Sequence, residues 1–194
     1  MNINLSDLPE FGSFALVIYL PDPLGEFLRS LRHLLPGDEN PQAHITVLPP
    51  RPLQSPVDRV SFEAQRILSG FDPFRVELSG LKSFPDTNIL YLAVTGGNEE
   101  LHEVHDALNR GILAHEESFD FLPHLTLSGP VAADQLGNVR AEAKKAITQY
   151  RRQMSFEANE VVALWQPLYG SWDEWNRVWA QKLGDSGSSA SAGR

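Results

Sequence analysis

The sequence predicts an α+β fold of two related halves facing each other across a cleft. Two observations predict it. Strand-like and helix-like segments alternate along most of the chain, and one unit, a strand, a helix and a strand bearing His-x-Thr, occurs twice.

The elements follow in order. "GSFALVIYLP", 12–21, mixes β-branched and aromatic residues and closes on a proline, as a strand does. In "DPLGEFLRSLRHLL", 22–35, Leu24, Phe27, Leu28, Leu31, Leu34 and Leu35 recur at helical spacing. "AHITVLPP", 43–50, is the next strand. "SPVDRVSFEAQRILSGF" is a second helix, opened by Ser55 with Pro56 in its first turn. "FRVELSGLKSFP" is a strand running into a loop, "NILYLAVTG" another strand, and "NEELHEVHDALNRGILA" a third helix. "FLPHLTLSGP", 121–130, is a strand and "AADQLGNVRAEAKKAITQYR" a fourth helix. "MSFEANEVVALWQPL" and "WNRVWAQKL" close the domain as two strands. Residues 1–183 form one bilobal domain. The small, polar run 184–194 is expected to be a disordered tail.

Composition narrows the function. The net charge of −9 argues against a protein that grips nucleic acid along its phosphates, which needs a basic surface. A small pocket reading one phosphate or one nucleotide end remains compatible with it. The absence of cysteine excludes disulfides, thiolate metal sites and a cysteine nucleophile. No apolar stretch approaches the roughly 20 residues needed to span a bilayer, and the first residues lack the basic start and apolar run of a signal peptide. A cytoplasmic, soluble monomer is expected.

The chemistry resides in "AHITVLPP" and "PHLTLSGP". Side chains alternate across a strand, so His44 and Thr46 share one face while Ile45 and Val47 share the other. His124 and Thr126 stand in the same relation to Leu125 and Leu127. Side by side, two imidazoles and two hydroxyls suit metal-free attack on a phosphodiester. One neutral histidine takes a proton from water, and the other, protonated, gives one to the leaving oxygen. The threonines donate to the non-bridging oxygens, where charge gathers. With six histidines and five threonines in the chain, two such tetrads are a poor candidate for coincidence.

These paired motifs resemble those of the two-histidine (2H) phosphoesterase superfamily, in particular its 2′-5′ RNA ligase/cyclic phosphodiesterase-like branch. "SGLKSFPDTNILYLAVTGGNEELHEVHDAL" is similar to that family's middle segment. The resemblance implies a bilobal α+β fold, two pseudo-symmetric antiparallel-sheet lobes with outer helices around a central cleft. It implies no metal or other cofactor, and catalysis by His44, Thr46, His124 and Thr126 on a nucleotide or RNA end bearing a 2′,3′-cyclic phosphate. The alternatives are a binding module that captures such an end without turnover, 2′-5′ ligation, and hydrolysis of another 2′-linked diester. One departure is the run "LPPRPL", where relatives carry a Phe-Leu-Gly turn; it implies a different pocket rim.

Four further residues are candidate substrate contacts. Arg51 could reach a phosphate. Phe84, Trp165 and Tyr169 could stack on a base. Lys82 sits near Phe84. Trp175 and Trp179 are expected to cover the sheet, and His33 and His115 to lie at the surface. His102 and His105, three apart on the third helix among Glu99, Glu103 and Asp106, read as a solvated charged face rather than a metal site.

Overall fold

The computed structural model describes residues 11–37, 42–169 and 175–185. In chain order the elements are β1 (Phe11–Tyr19), α1 (Leu24–Leu34), β2 (His44–Pro52), α2 (Val57–Leu68), β3 (Phe74–Ser83), β4 (Leu90–Gly96) and α3 (Asn98–Leu108). A 3-10 turn (Gly111–Leu113), β5 (His124–Thr126), α4 (Leu136–Gln149), β6 (Ser155–Ala158), β7 (Glu160–Pro167) and β8 (Asn176–Lys182) follow. The helices form where the apolar spacing asks for them: Leu24, Leu28 and Leu31 are the buried stripe of α1, and Val60, Ala64 and Leu68 that of α2.

The strands make two four-stranded antiparallel sheets, ordered β2-β1-β7-β8 and β5-β4-β3-β6. The two sheets correspond strand for strand. Each motif strand is an edge, and its neighbour is the strand that opens the same repeat unit. The two edges meet, with Cα atoms of β2 and β5 approaching within 8 Å. The halves are bilobal yet share packing. On α3 of the second lobe, His105 donates from Nδ1 to the Val47 carbonyl of β2 at 2.9 Å. The loop after α1 touches the loop after β5, where the Gly129 amide donates to the Pro36 carbonyl at 2.7 Å. Glycine is required there, because a Cβ on Gly37 would stand 2.5 Å from the Gly129 nitrogen.

Two elements differ from expectation. The segment read as one strand over 154–168 is two strands in different sheets: β6 pairs with β3 and β7 with β1. The burial pattern explains this. Phe156 and Ala158 are buried, then Val161, Ala163 and Trp165 with Val162 buried on the other face, so the main period of two slips by one residue at Asn159. A one-residue slip turns the apolar face over, and the chain changes sheets where it happens. The other difference is β5, which spans only His124–Thr126 instead of the whole of 121–130. The Ser128 hydroxyl accepts the Leu90 amide at 3.1 Å, so a side chain takes over the ladder bond. Helix α2 begins at Val57, with Pro56 in the cap position and no side-chain cap. The run 186–194 lies outside the described residues.

Candidate active site

The two motif strands are built alike to a degree the sequence only suggests. Residues 42–50 and 122–130 have the same burial pattern at all aligned positions: His44, Thr46, His124 and Thr126 are half-buried, and Ile45, Val47, Leu125 and Leu127 buried. The aliphatic pairs anchor each strand in its lobe, and the polar pairs face away from it.

Both histidines are oriented by the same device. His44 donates from Nδ1 to the Gln42 carbonyl at 2.8 Å, and His124 donates from Nδ1 to the Leu122 carbonyl at 2.7 Å. A carbonyl only accepts, so each ring carries a proton on Nδ1, and Nε2 is the nitrogen whose protonation can change. In each case the partner is the residue two positions earlier, in the segment that leads into the strand, so the chain entering each strand aims its ring.

A tyrosine from the neighbouring strand supports each ring. Tyr19 is opposite His44 in the β1–β2 register and meets it edge-on at 6.1 Å. Tyr91 is opposite Thr126 and contacts His124 at 5.3 Å. The second lobe adds Phe84, stacked on Tyr91 at 4.5 Å and edge-on to His124 at 5.1 Å. Burial among these rings holds the His124 imidazole below its ordinary pKa, partly opposed by its bond to the Leu122 carbonyl. Burial also pushes the Tyr19 phenol up, offset in part by the Arg177 guanidinium.

Beside His124 opens a cavity of about 690 Å³. Its walls are Thr46, Pro49 and Pro50 from β2, residues 84–87 after β3, and residues 115–122 before β5. Thr46 of the first lobe and His124 of the second therefore line one space. His44 and Thr126 occupy the matching strand positions outside its wall.

The outer candidates divide. Phe84 is in the cavity wall. Arg51, expected at a phosphate, is instead 2% exposed and committed to protein partners. It donates from Nε to the Pro49 carbonyl, from Nη1 to Asn109 Oδ1 at 2.7 Å and the Leu113 carbonyl at 3.0 Å, and from Nη2 to Glu117 Oε1 at 2.5 Å. Its work is to tie the cavity's back wall to β2. Trp165 is fully buried and stacks on Phe14 at 5.4 Å, so it is a core residue and not a base-stacking one. Tyr169 is 84% exposed beyond the end of β7 and is not in the cavity wall. Lys82 is exposed on β3. Trp179 covers its sheet, donating to Ser61 Oγ of α2 at 3.0 Å.

The reading of α3 needs correction. His105 is buried, not solvated; its ring stacks flat on Phe121 at 3.9 Å, and its Nε2 is 3.6 Å from Glu117 Oε1. His102 faces the Asn98 and Phe121 carbonyls, and His33 is exposed as expected. Among the described residues no group of three or more His, Cys, Asp or Glu gathers as metal ligands, and no helix is long and apolar enough to cross a membrane. The sequence reading missed His115, which lines the cavity, and the two supporting tyrosines. The available signal for His115 was a long connection before β5 rich in acidic and aromatic residues, the kind of loop that carries function.

Known proteins share this plan. A crystal structure of Escherichia coli LigT complexed with NADP+ superposes with a TM-score of 0.63 at 16% identity, covering 90% of this chain and 99% of that one. A crystal structure of TT0787 of Thermus thermophilus superposes with a TM-score of 0.62 at 15% identity, over 89% and 98%. In sequence, a protein of Geobacillus kaustophilus provisionally named a phosphoesterase is 24% identical over 168 residues, spanning 82% of this chain and 91% of its own. Both motif strands and the whole of the second sheet fall within the region, residues 20–168, that matches the family model described as the 2′-5′ RNA ligase superfamily. On that match the chain belongs to the 2′-5′ RNA ligase superfamily, the two-histidine phosphoesterases.

Proposed function

We propose that this phosphoesterase-family protein hydrolyses 2′,3′-cyclic phosphodiesters of nucleotides or RNA ends, with His44 and His124 as the acid–base pair. The observation that carries this reading is the shared anchoring of the two rings. Each Nδ1–H is spent on a carbonyl two residues back, so each Nε2 is the working nitrogen.

The steps follow from that. Neutral His124 takes a proton from water at Nε2 as the water oxygen attacks phosphorus. Its burial beside Phe84 and Tyr91 favours the neutral form a base needs. One ribose oxygen–phosphorus bond breaks, and protonated His44 delivers its Nε2 proton to that oxygen. Thr46 and Thr126 donate to the non-bridging oxygens as charge develops. The product is a ribose phosphate monoester with one free hydroxyl, and a second proton exchange with solvent restores both rings. Nucleotide complexes of the fold neighbour E. coli LigT, with 3′-AMP, ATP and NADP+, support a nucleotide as the ligand class.

The test is incubation with 2′,3′-cyclic mononucleotides in the presence of a chelator, followed by phosphorus NMR. Ring opening that disappears in His44→Ala and in His124→Ala is the expected result. Binding without turnover from pH 5 to 9 would replace the enzyme with a capture module.

A further inference from the structure

We infer that the cavity beside His124 accepts a cyclic phosphodiester carrying a single negative charge and discriminates against any substrate with a second phosphate. This rests on the phosphodiesterase reading and narrows its substrate class to free cyclic mononucleotides with a 5′-hydroxyl.

The argument starts from the charges on the wall. Asp86 approaches from the turn after β3, and Glu116, Glu117 and Asp120 from the segment before β5; no lysine or arginine lines the cavity among the described residues. Glu117 is accounted for, because buried Arg51 binds it from behind. Asp86, Glu116 and Asp120 are the exposed carboxylates of the wall and mark its solvent side as its mouth. The imidazoles of His115 and His124 are the basic groups in the wall. The floor is apolar, with Phe84, Phe121 and Pro49.

These parts describe a ligand. Its one anion sits at His124 and Thr46, and its flat or apolar body lies against the phenylalanines. About 690 Å³ is the size of pockets that enclose small organic ligands. Whatever leaves through the mouth passes three carboxylates. A terminal phosphate adds roughly 1.5–2 negative charges. Like charges a few ångströms apart repel even in water, so three carboxylates together are expected to give about a tenfold loss of affinity or more. An RNA 3′ end carries a phosphodiester on its 5′ side and meets the same repulsion. The substrate must then be supplied by RNA cleavage through 2′-hydroxyl attack carried as far as single nucleotides.

The experiment compares kcat/KM for adenosine 2′,3′-cyclic monophosphate with that for the same compound bearing a 5′-phosphate. It is run near 10 mM and near 0.5 M salt, because the screening length falls from about 30 Å to a few ångströms over that range. The expected result is a preference of about tenfold or more for the 5′-hydroxyl compound at low salt. That preference shrinks towards one at high salt and in the triple variant Asp86→Asn/Glu116→Gln/Asp120→Asn. Equal rates at low salt, or a preference that the triple variant leaves intact, overturn the inference while sparing the phosphodiesterase reading. Turnover of neither compound overturns that reading instead. The charge selection is then read by calorimetry with adenosine 3′-monophosphate against adenosine 3′,5′-bisphosphate, where equal affinity, or no binding of either, overturns it.

Discussion

The two motif strands carry the same tetrad, the same burial pattern and the same Nδ1-to-carbonyl anchor, yet their surroundings differ. Tyr19 meets His44 edge-on at 6.1 Å, whereas His124 is packed edge-on to Phe84 and beside Tyr91, both within 5.3 Å. The repeat thus places two equivalent groups, and packing among aromatic rings holds one of them, His124, below the ordinary imidazole pKa. For a reaction needing one proton acceptor and one proton donor, that inequality is the useful part.

The hardest way to break the comparison is to delete one ring at a time. His44→Ala and His124→Ala should each cost about 10²–10⁴-fold in kcat. The double variant should cost little more than either alone if the rings act as a pair. Steady-state kinetics on a cyclic mononucleotide checks this, and fully multiplicative losses would argue that the two act independently.

Next in size are the residues that hold the two environments in place. Arg51→Met takes a buried guanidinium and its hydrogen bonds from Asn109, the Leu113 carbonyl and part-exposed Glu117, and should destabilise the fold by about 3 kcal/mol, read by urea unfolding. Trp165→Ala empties a fully buried core position and should cost about the same. Unchanged stability in either variant would contradict the structural role given to it.

A subtler change sharpens the inequality itself. Phe84→Ala opens His124 to water, so its pKa should rise towards the ordinary imidazole value near 6.5. The acidic limb of the kcat/KM profile should move to higher pH with it, and an NMR titration of the His124 ring would follow the same shift. Folding is linked to this. A folded-state pKa below the unfolded one means that the unfolded chain takes the proton first. Stability contributed by neutral His124 is therefore intact above about 6.5 and lost as pH falls towards the folded value. His124→Gln should flatten that part of the curve. The smallest effect belongs to Tyr169→Ala, which is expected to stay within about 0.5 kcal/mol of the parent and to leave kinetics unchanged.

How much of this was legible in the sequence depends on whether a neighbour in the chain or a distant partner sets the outcome. The His-x-Thr faces were legible, because alternation along one strand decides them. The anchoring bonds were also within reach, since both partners lie two residues away. The switch between β6 and β7 was legible in principle, as the buried set moves from Phe156 and Ala158 to Val161, Ala163 and Trp165. That phase also puts Trp165 on the core face. Arg51 and His105 were not legible. Their partners, Asn109, Glu117 and Val47, are far away in sequence, and nothing periodic announces them. A charged residue in a proline-rich run looks solvent-facing until the segment that covers it is in view.

The departure of the chain from one sheet to the other at Asn159 has a consequence for how the molecule is made. Phe14 lies opposite Trp165 in the β1–β7 register, so the N-terminal strand waits for nearly the last strands before its sheet is complete. During synthesis the lobe that begins first is finished last. Folding dominated by such distant pairings is slow, and a ribosome-bound chain stopped short of β7 would expose the unpaired edge of β1 to other proteins.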